Sequence, residues 1–347
     1  MNPILGVLLH AVGGFAAGSF YLPLKKIKSW AWESYWLVNG FISWIIMPWL
    51  VAWLTVPELV DLLAGAPQSS MIWSYFYGVL WGIGGLTFGL TMRYLGLSLG
   101  YAMALGLTAM FGTIIPPIYF GNFVEMLVQS SGQVTIAGII VTLGGIALTG
   151  WAGFRKDQEV SEDEKRAGVK EFDLAKGIWV AVLAGIMSAC MAFGIQAGKP
   201  IAELAIQYDT PTLFQNSPVF IVIFAGGFTS NLLWCVYLNV KNGTISDYFD
   251  GSTPILVNYI FSALAGITWY FQFMFYGMGS SQMGQYDFAS WSIHFAFVIF
   301  FSNMWGLLTQ EWKGSGKRTM RIIYMGLFIL VLSACIIGYG NYLAGAE

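Results

Sequence analysis

Residues 134–154 read VTIAGIIVTLGGIALTGWAGF, a stretch without a charged side chain. Residues 155–173, RKDQEVSEDEKRAGVKEFD, reverse that character, and residues 174–198, LAKGIWVAVLAGIMSACMAFGIQAG, restore it. An α-helix rises 1.5 Å per residue, so about 20 apolar residues cross the roughly 30 Å hydrocarbon layer of a bilayer. The two apolar stretches therefore predict membrane-spanning helices on either side of a solvated connector of mixed charge.

The same pattern recurs along the chain, of whose 347 residues 57% are apolar and 10% charged. Apolar runs and their turn and charge punctuation predict helices at 3–24, 32–56, 71–95, 98–120, 134–154, 174–198, 211–239, 255–279, 283–310 and 320–343. A transmembrane barrel would need alternating apolar and polar residues, and these runs do not alternate. The amino terminus, MNPILGVLLHAVGGF, carries no basic residue ahead of its apolar stretch and no marked cleavage site, so it is expected to remain as the first span. The expected fold is an all-α membrane protein of ten transmembrane helices. Its divisions are a first five-helix repeat (1–154), a cytoplasmic connector (155–173) and a second five-helix repeat (174–347).

A formal net charge of −2, with the basic residues confined to loops, implies no nucleic-acid partner, and none is expected. Cys190, Cys235 and Cys335 each fall within apolar runs and suggest neither a disulfide framework nor a metal cluster, and no cofactor is implied. Lys and Arg concentrate in the loops after odd-numbered helices: Lys25, Lys26 and Lys28; Arg93; Arg155, Lys156, Lys165, Arg166 and Lys170; Lys241; Lys313, Lys317 and Arg318. Loops after even-numbered helices offer Lys199 alone. By the positive-inside rule the odd loops are cytoplasmic and both termini face outward.

Five helices are an odd number, so a second set of five enters the bilayer from the opposite side, the inverted-repeat plan of many carriers. Residues Gly82 to Gly100 can be laid on Gly266 to Gly284 without a gap, matching glycine at both ends. Small residues at helical spacing, in Gly14-x-x-x-Gly18, Gly78-x-x-x-Gly82, Gly85-x-x-x-Gly89 and Gly96-x-x-x-Gly100, mark places where helices approach closely, by ordinary bundle packing or along a dimer seam or sliding surface.

Ionisable residues inside a span are costly in lipid and are candidate functional groups. In the ninth helix Asp287, Ser290, Trp291 and His294 stand at i, i+3, i+4 and i+7, hence on one helical face. The orientation above places them in the outer half of the membrane, at a depth shared with His10 of the first helix and with Trp269 and Gln272 of the eighth. A carboxylate that takes and releases a proton, amides that exchange hydrogen bonds with hydroxyls, and indoles that pack on the apolar face of a pyranose suit a proton-coupled sugar site. Asp287, His294 and His10 are the candidates for proton coupling. Gln272, Trp291, Trp269, Gln285 and Ser290 are the candidate sugar contacts. The alternatives are a helix-start role for Asp287 and satisfied core histidines at His10 and His294. Glu33, Lys25, Lys26 and Lys28 read as interfacial anchors, and Gln196, Asn216, Asn231 and Asn258 as interhelical hydrogen bonders. No zincin, nucleophile-elbow, phosphate-loop or dinucleotide motif is present, so the chain is not expected to be an enzyme.

Longer stretches carry a further signal. Phe20-Tyr21-Leu22-Pro23-Leu24-Lys25-Lys26-Ile27-Lys28-Ser29-Trp30-x-Trp32-Glu33, Trp81-Gly82-Ile83-Gly84 with Gly89-Leu90-Thr91-Met92-Arg93-Tyr94-Leu95-Gly96, and Trp269-Tyr270-x-Gln272-Phe273 with Gln285-Tyr286-Asp287-x-x-Ser290-Trp291 closely resemble the L-rhamnose/proton symporter family of the drug/metabolite transporter superfamily. The resemblance runs in order over nearly the whole chain and includes His10 and His294. Residues 214–218 and 155–173 follow the pattern less closely. It implies a ten-helix fold of two inverted repeats, and proton-driven uptake of a deoxyhexose such as L-rhamnose by alternating access across a bacterial inner membrane, as monomer or homodimer. A uniporter or exporter of another small metabolite, and a membrane sugar sensor that moves nothing, are the other readings.

Overall fold

The computed structural model describes residues 1–95, 97–119, 121, 123–159 and 173–345, and among them every regular element is helical. The longer helices are α1 (Pro3–Leu24, bent at Phe20), α2 (Trp32–Thr55), α3 (Gln68–Leu95), α4 (Leu97–Tyr119), α5 (Ser130–Glu159), α6 (Leu174–Ala197), α7 (Ser217–Asn242), α8 (Ile255–Ser280), α9 (Ser290–Leu308) and α10 (Lys317–Ala344). Eight spans among the described residues are long and apolar enough to cross a membrane: those that contain α1, α2 and α5 to α10. Most of the 155–173 connector, with Lys165, Arg166 and Lys170, lies outside the described residues.

Local sequence explains several helix starts. Asn2 caps α1 by accepting from the Leu5 amide (3.2 Å), with Pro3 at the first helical position, where its missing N–H costs nothing. Asp173 does the same for α6, accepting from Lys176 N at 3.0 Å. The ninth helix departs from the expected 283–310, because residues Gly284–Ala289 form a 3-10 turn and the α-helix starts at Ser290. Short helices Leu59–Gly65, Phe123–Val128 and Lys199–Gln207 occupy connections that the apolar pattern left blank. In the last of these, Ile201, Ala202 and Ala205 are buried on one side.

The helices show apolar side chains outward as well as inward. Trp53, Leu54, Leu233, Val240 and Phe328 are all well exposed, as a lipid-facing surface requires. In such a medium burial of apolar area drives little association, so close backbone approach matters more. Gly14 and Gly18 of α1 lie against Phe297–Val298 and Phe301–Ser302 of α9, and Gly78 and Gly82 of α3 lie against Ile223, Gly227 and Ser230 of α7. Gly85 and Gly89 have nothing within 4 Å of where a Cβ would stand, and Gly96 lies outside the described residues.

The largest interfaces pair α5 with α10, α6 with α3 and α4, α1 with α8 and α9, and α3 with α7; α2 packs on α7 and α8, and α4 on α5. These contacts leave space in the middle of the bundle.

Candidate functional site

A cavity of about 760 Å³ lies there, within the range of about 300–1,000 Å³ seen for small-molecule sites. Among the described residues its charged lining is Lys25, Lys156 and Glu311, which follow or end α1, α5 and α9 and so mark one end of the bundle. Lys25 Nζ lies 3.2 Å from Glu311 Oε1, both more than half exposed, and Lys156 stands 5.2 Å over the Trp312 ring. From this mouth the wall runs along α9 past Thr309, Ser302 and Phe295 to His294 and Trp291, about 25 Å of helix at 1.5 Å per residue.

The inner end collects several of the sequence-derived candidates. Trp269 and Gln272 of α8, one turn apart, face Trp291 and His294 of α9 across the lining. Trp291 is buried against Gly112, where a side chain on α4 would overlap its ring, and its Nε1–H donates to Thr108 O at 3.1 Å. Thr113 and Ser292 hydroxyls, 2.8 Å apart, make a second tie between α4 and α9. His10 lies behind this wall: its ring centroid is 6.3 Å from that of His294, and Tyr276 lies 5.3 Å from both. Both His10 nitrogens and His294 Nδ1 are buried without a hydrogen-bond partner, as is Ser290 Oγ. Buried polar groups are almost always paired, so these unpartnered ones, of which His294 also lines the cavity, are candidate functional groups.

Asp287 stands apart from that cluster. It lies in the 3-10 segment ahead of α9 and is not part of the central-cavity lining to which Trp291 and His294 belong. Its carboxylate meets Lys199 Nζ at 2.9 Å, and it lines a separate crevice of only about 10 Å³ with Gln196, Ser280, Gly112 and Tyr276. Tyr276 is thus shared: it lines the Asp287 crevice and touches both histidine rings. The side chain of Gln285 lies outside the described residues.

Residues 1–343 match the family model described as L-rhamnose-proton symport protein. Proteins named L-rhamnose-proton symporter from Yersinia pestis (strain Pestoides F) and Yersinia pseudotuberculosis (serotype O:1b, strain IP 31758) are 37% identical over 341 residues, covering 97% of this chain and 98% of each relative. The chain belongs to the L-rhamnose-proton symport family. It is accordingly a multi-pass membrane transport protein and not an enzyme.

Tyr276, which shapes this symporter's interior, was not singled out from sequence, and other interior residues were named without their partners. Tyr276 stands seven residues after Trp269 and four after Gln272, so helical spacing alone would have put it on their face. Lys199 was visible as the one basic residue in an even-numbered loop, without its partner being visible. Glu33, read as an anchor, is 5% exposed and accepts from Asn242 Nδ2 (2.9 Å) and Thr244 Oγ1 (3.0 Å), tying the start of α2 to the end of α7. Asn258 bridges to the backbone of Lys28, accepting from its N at 3.1 Å and donating to its O at 2.8 Å. Asn216 Nδ2 donates to Gly277 O, and Asn231 joins Trp36 of α2 to Gly82 of α3, so these amides do link elements.

Proposed function

We propose that this chain takes up L-rhamnose together with a proton across a bacterial inner membrane by alternating access. The observation that carries the reading is the central cavity, lined from both halves of a chain whose family is one of sugar–proton symporters. In this reading α3 and α4 complete a set of ten spans, residues 1–154 and 174–347 form inverted repeats, and 155–173 is cytoplasmic. What supports the repeat is the packing. Exchanging each helix with the one five later turns the α1 contacts with α8 and α9 into the α6 contacts with α3 and α4, turns α3–α7 into α8–α2, and returns α5–α10 to itself.

Both termini are periplasmic in this topology, so the mouth at Lys25, Lys156 and Glu311 faces the cytoplasm and the cavity is inward-open. Its outer end is closed by Trp291 and Tyr276 and, beyond them, by the Asp287–Lys199 pair. Asp287 is the outer proton acceptor. Protonation from the periplasm cancels its charge and frees Lys199, and a partly exposed pair holds by only about 0.2–1 kcal/mol, weak enough to part on each cycle. Tyr276 borders the Asp287 crevice and packs on the His294 and His10 rings, so the proton acceptor stands one side chain away from the cavity wall, where Gln272, Trp291 and Trp269 meet the sugar. Ser290, buried beside Trp291, completes the outer rim of that site, and Gln285 is retained from the sequence as a further sugar contact.

Purified protein in liposomes tests this directly. An inward proton gradient should drive accumulation of L-rhamnose, about tenfold per pH unit for one proton per sugar, and a protonophore should abolish it. Uptake indifferent to both would leave a uniporter, and binding without flux would leave a sensor.

A further inference from the structure

Three indoles in the cavity wall have no part in the proton-coupling cluster. Trp44 of α2, Trp81 of α3 and Trp269 of α8 meet at one corner of the lining. Trp44 stands edge-on to Trp81 (centroids 5.9 Å apart, 82°) and to Trp269 (5.5 Å, 83°), while Trp81 and Trp269 lie 5.7 Å apart at 42°. Phe273, also in the lining, backs the corner at 5.1 Å from Trp269 and 6.0 Å from Trp81.

The backbone is arranged around these rings. Trp44 is the middle residue of a π-helical stretch, Ile42–Ile46, a rare geometry that concentrates at functional sites. Gly40 leaves the ring its space, since a Cβ there would come within 2.7 Å of it, and Trp81 likewise occupies ground that a side chain on Gly227 would take. Trp44 is 4% exposed, and its Nε1–H has no acceptor. Trp36 and Trp291, in the same lining, use theirs on Asn231 Oδ1 and Thr108 O, each at 3.1 Å. The nitrogen is enclosed in this conformation, so an acceptor carried by the solute reaches it only as the rings of the corner shift to admit the sugar.

We infer that this corner is the subsite that selects a 6-deoxyhexose: the faces of Trp81 and Trp269 take the apolar side of the ring and its C6 methyl, and Trp44 donates its indole N–H to a sugar hydroxyl. The inference rests on the transport reading above and names which part of the cavity reads which part of the sugar. A methyl group buries well among aromatic rings. A hydroxymethyl at the same carbon would bring a hydroxyl among walls that offer it no acceptor, at the cost of its hydrogen bonds to water. Gln272, one turn from Trp269, and His294 opposite supply polar partners for the remaining hydroxyls. Apolar walls reject an added hydroxyl by no more than about a hundredfold, so the preference is finite.

L-Rhamnose and L-mannose differ only by the hydroxyl on C6, and their competition for counterflow into liposomes carrying the full chain is the test. Wild-type protein should prefer L-rhamnose by about ten- to a hundredfold. Trp81→Leu and Trp269→Leu should raise the KM for L-rhamnose about tenfold and bring the ratio of the two sugars toward one, with Trp81→Phe intermediate. Trp44→Phe should raise KM for both sugars and leave their ratio within about twofold, because it removes a hydrogen bond and keeps a ring face. Detergent-solubilised variants with wild-type thermal midpoints establish folding, and Trp81→Phe serves where Trp81→Leu does not fold. A wild type that moves L-rhamnose, with variants unchanged in both KM and ratio, overturns the subsite alone. A wild type that moves neither sugar overturns the transport reading and the subsite together.

Discussion

The two ends of the central cavity are built from different materials. At the mouth, Lys25, Lys156 and Glu311 are solvated, and the pair that crosses it, Lys25–Glu311, is exposed on both sides. At the far end the seal is layered: Trp291 and Tyr276 in edge-to-face contact 5.7 Å apart, two buried histidines beside them, and then the Asp287–Lys199 pair with Asp287 only 21% exposed. An exposed pair is screened and holds little, whereas charges and rings stacked in series allow one event, arrival of a proton, to loosen a seal. In the proposed reading the contrast is that of a carrier whose cytoplasmic end is open and whose outer end is closed around Asp287 and the two histidines.

The largest expected effect comes from neutralising the closed end. Asp287→Asn should abolish concentrative uptake, bringing accumulation from about tenfold per pH unit to about one, while counterflow of sugar persists because the outer seal parts without a proton. Undiminished accumulation in proteoliposomes would remove Asp287 from coupling. The second expectation concerns access. In a Cys335→Ser background, Ser302→Cys on the exposed wall near the mouth should react with a membrane-impermeant thiol reagent applied from the cytoplasmic side, and Ser290→Cys beyond the histidines should not. Equal labelling would mean that the two ends are not differently sealed.

Smaller effects separate helix packing from gating. Gly78→Ala places a methyl against the Ile223 backbone and should lower stability by about 1–3 kcal/mol, read as a fall in thermal midpoint in detergent; Gly85→Ala, with nothing within 4 Å, should shift it by no more than about 0.5 kcal/mol. Equal effects would show that the two glycine stretches are alike after all. Least of all, Lys25→Ala should change stability by less than about 1 kcal/mol, since its partner Glu311 is solvated. A larger loss by the same measurement would make the mouth a structural clasp and weaken the contrast between the ends.

How far the site was legible depended on whether its parts shared a helix. Trp269 with Gln272, and Trp291 with His294, follow from spacing on one element, and both pairs line the cavity. Asp287 reads as part of that same face if the α-helix runs from residue 283; it lies instead in a 3-10 turn ahead of the helix, outside the cavity lining and paired with Lys199, a residue nearly ninety positions earlier. Trp44 carried no local signal, and Trp81 none for a cavity beyond its place in a family motif, since aromatic residues abound in membrane spans at interfaces and in the core. Only their meeting with Trp269 distinguishes them.

By itself, the amino-acid sequence determined that this protein is helical, crosses a membrane many times and belongs among transporters. Apolar length and charge are read one segment at a time, and motif order is linear. Which side chains face the cavity, which histidine touches it, what Asp287 pairs with and where three indoles converge were decided only by the tertiary structure. Those relations depend on how each helix is rotated and how closely glycines let its neighbours approach, and that rotation is set between helices, where no single segment's pattern reaches.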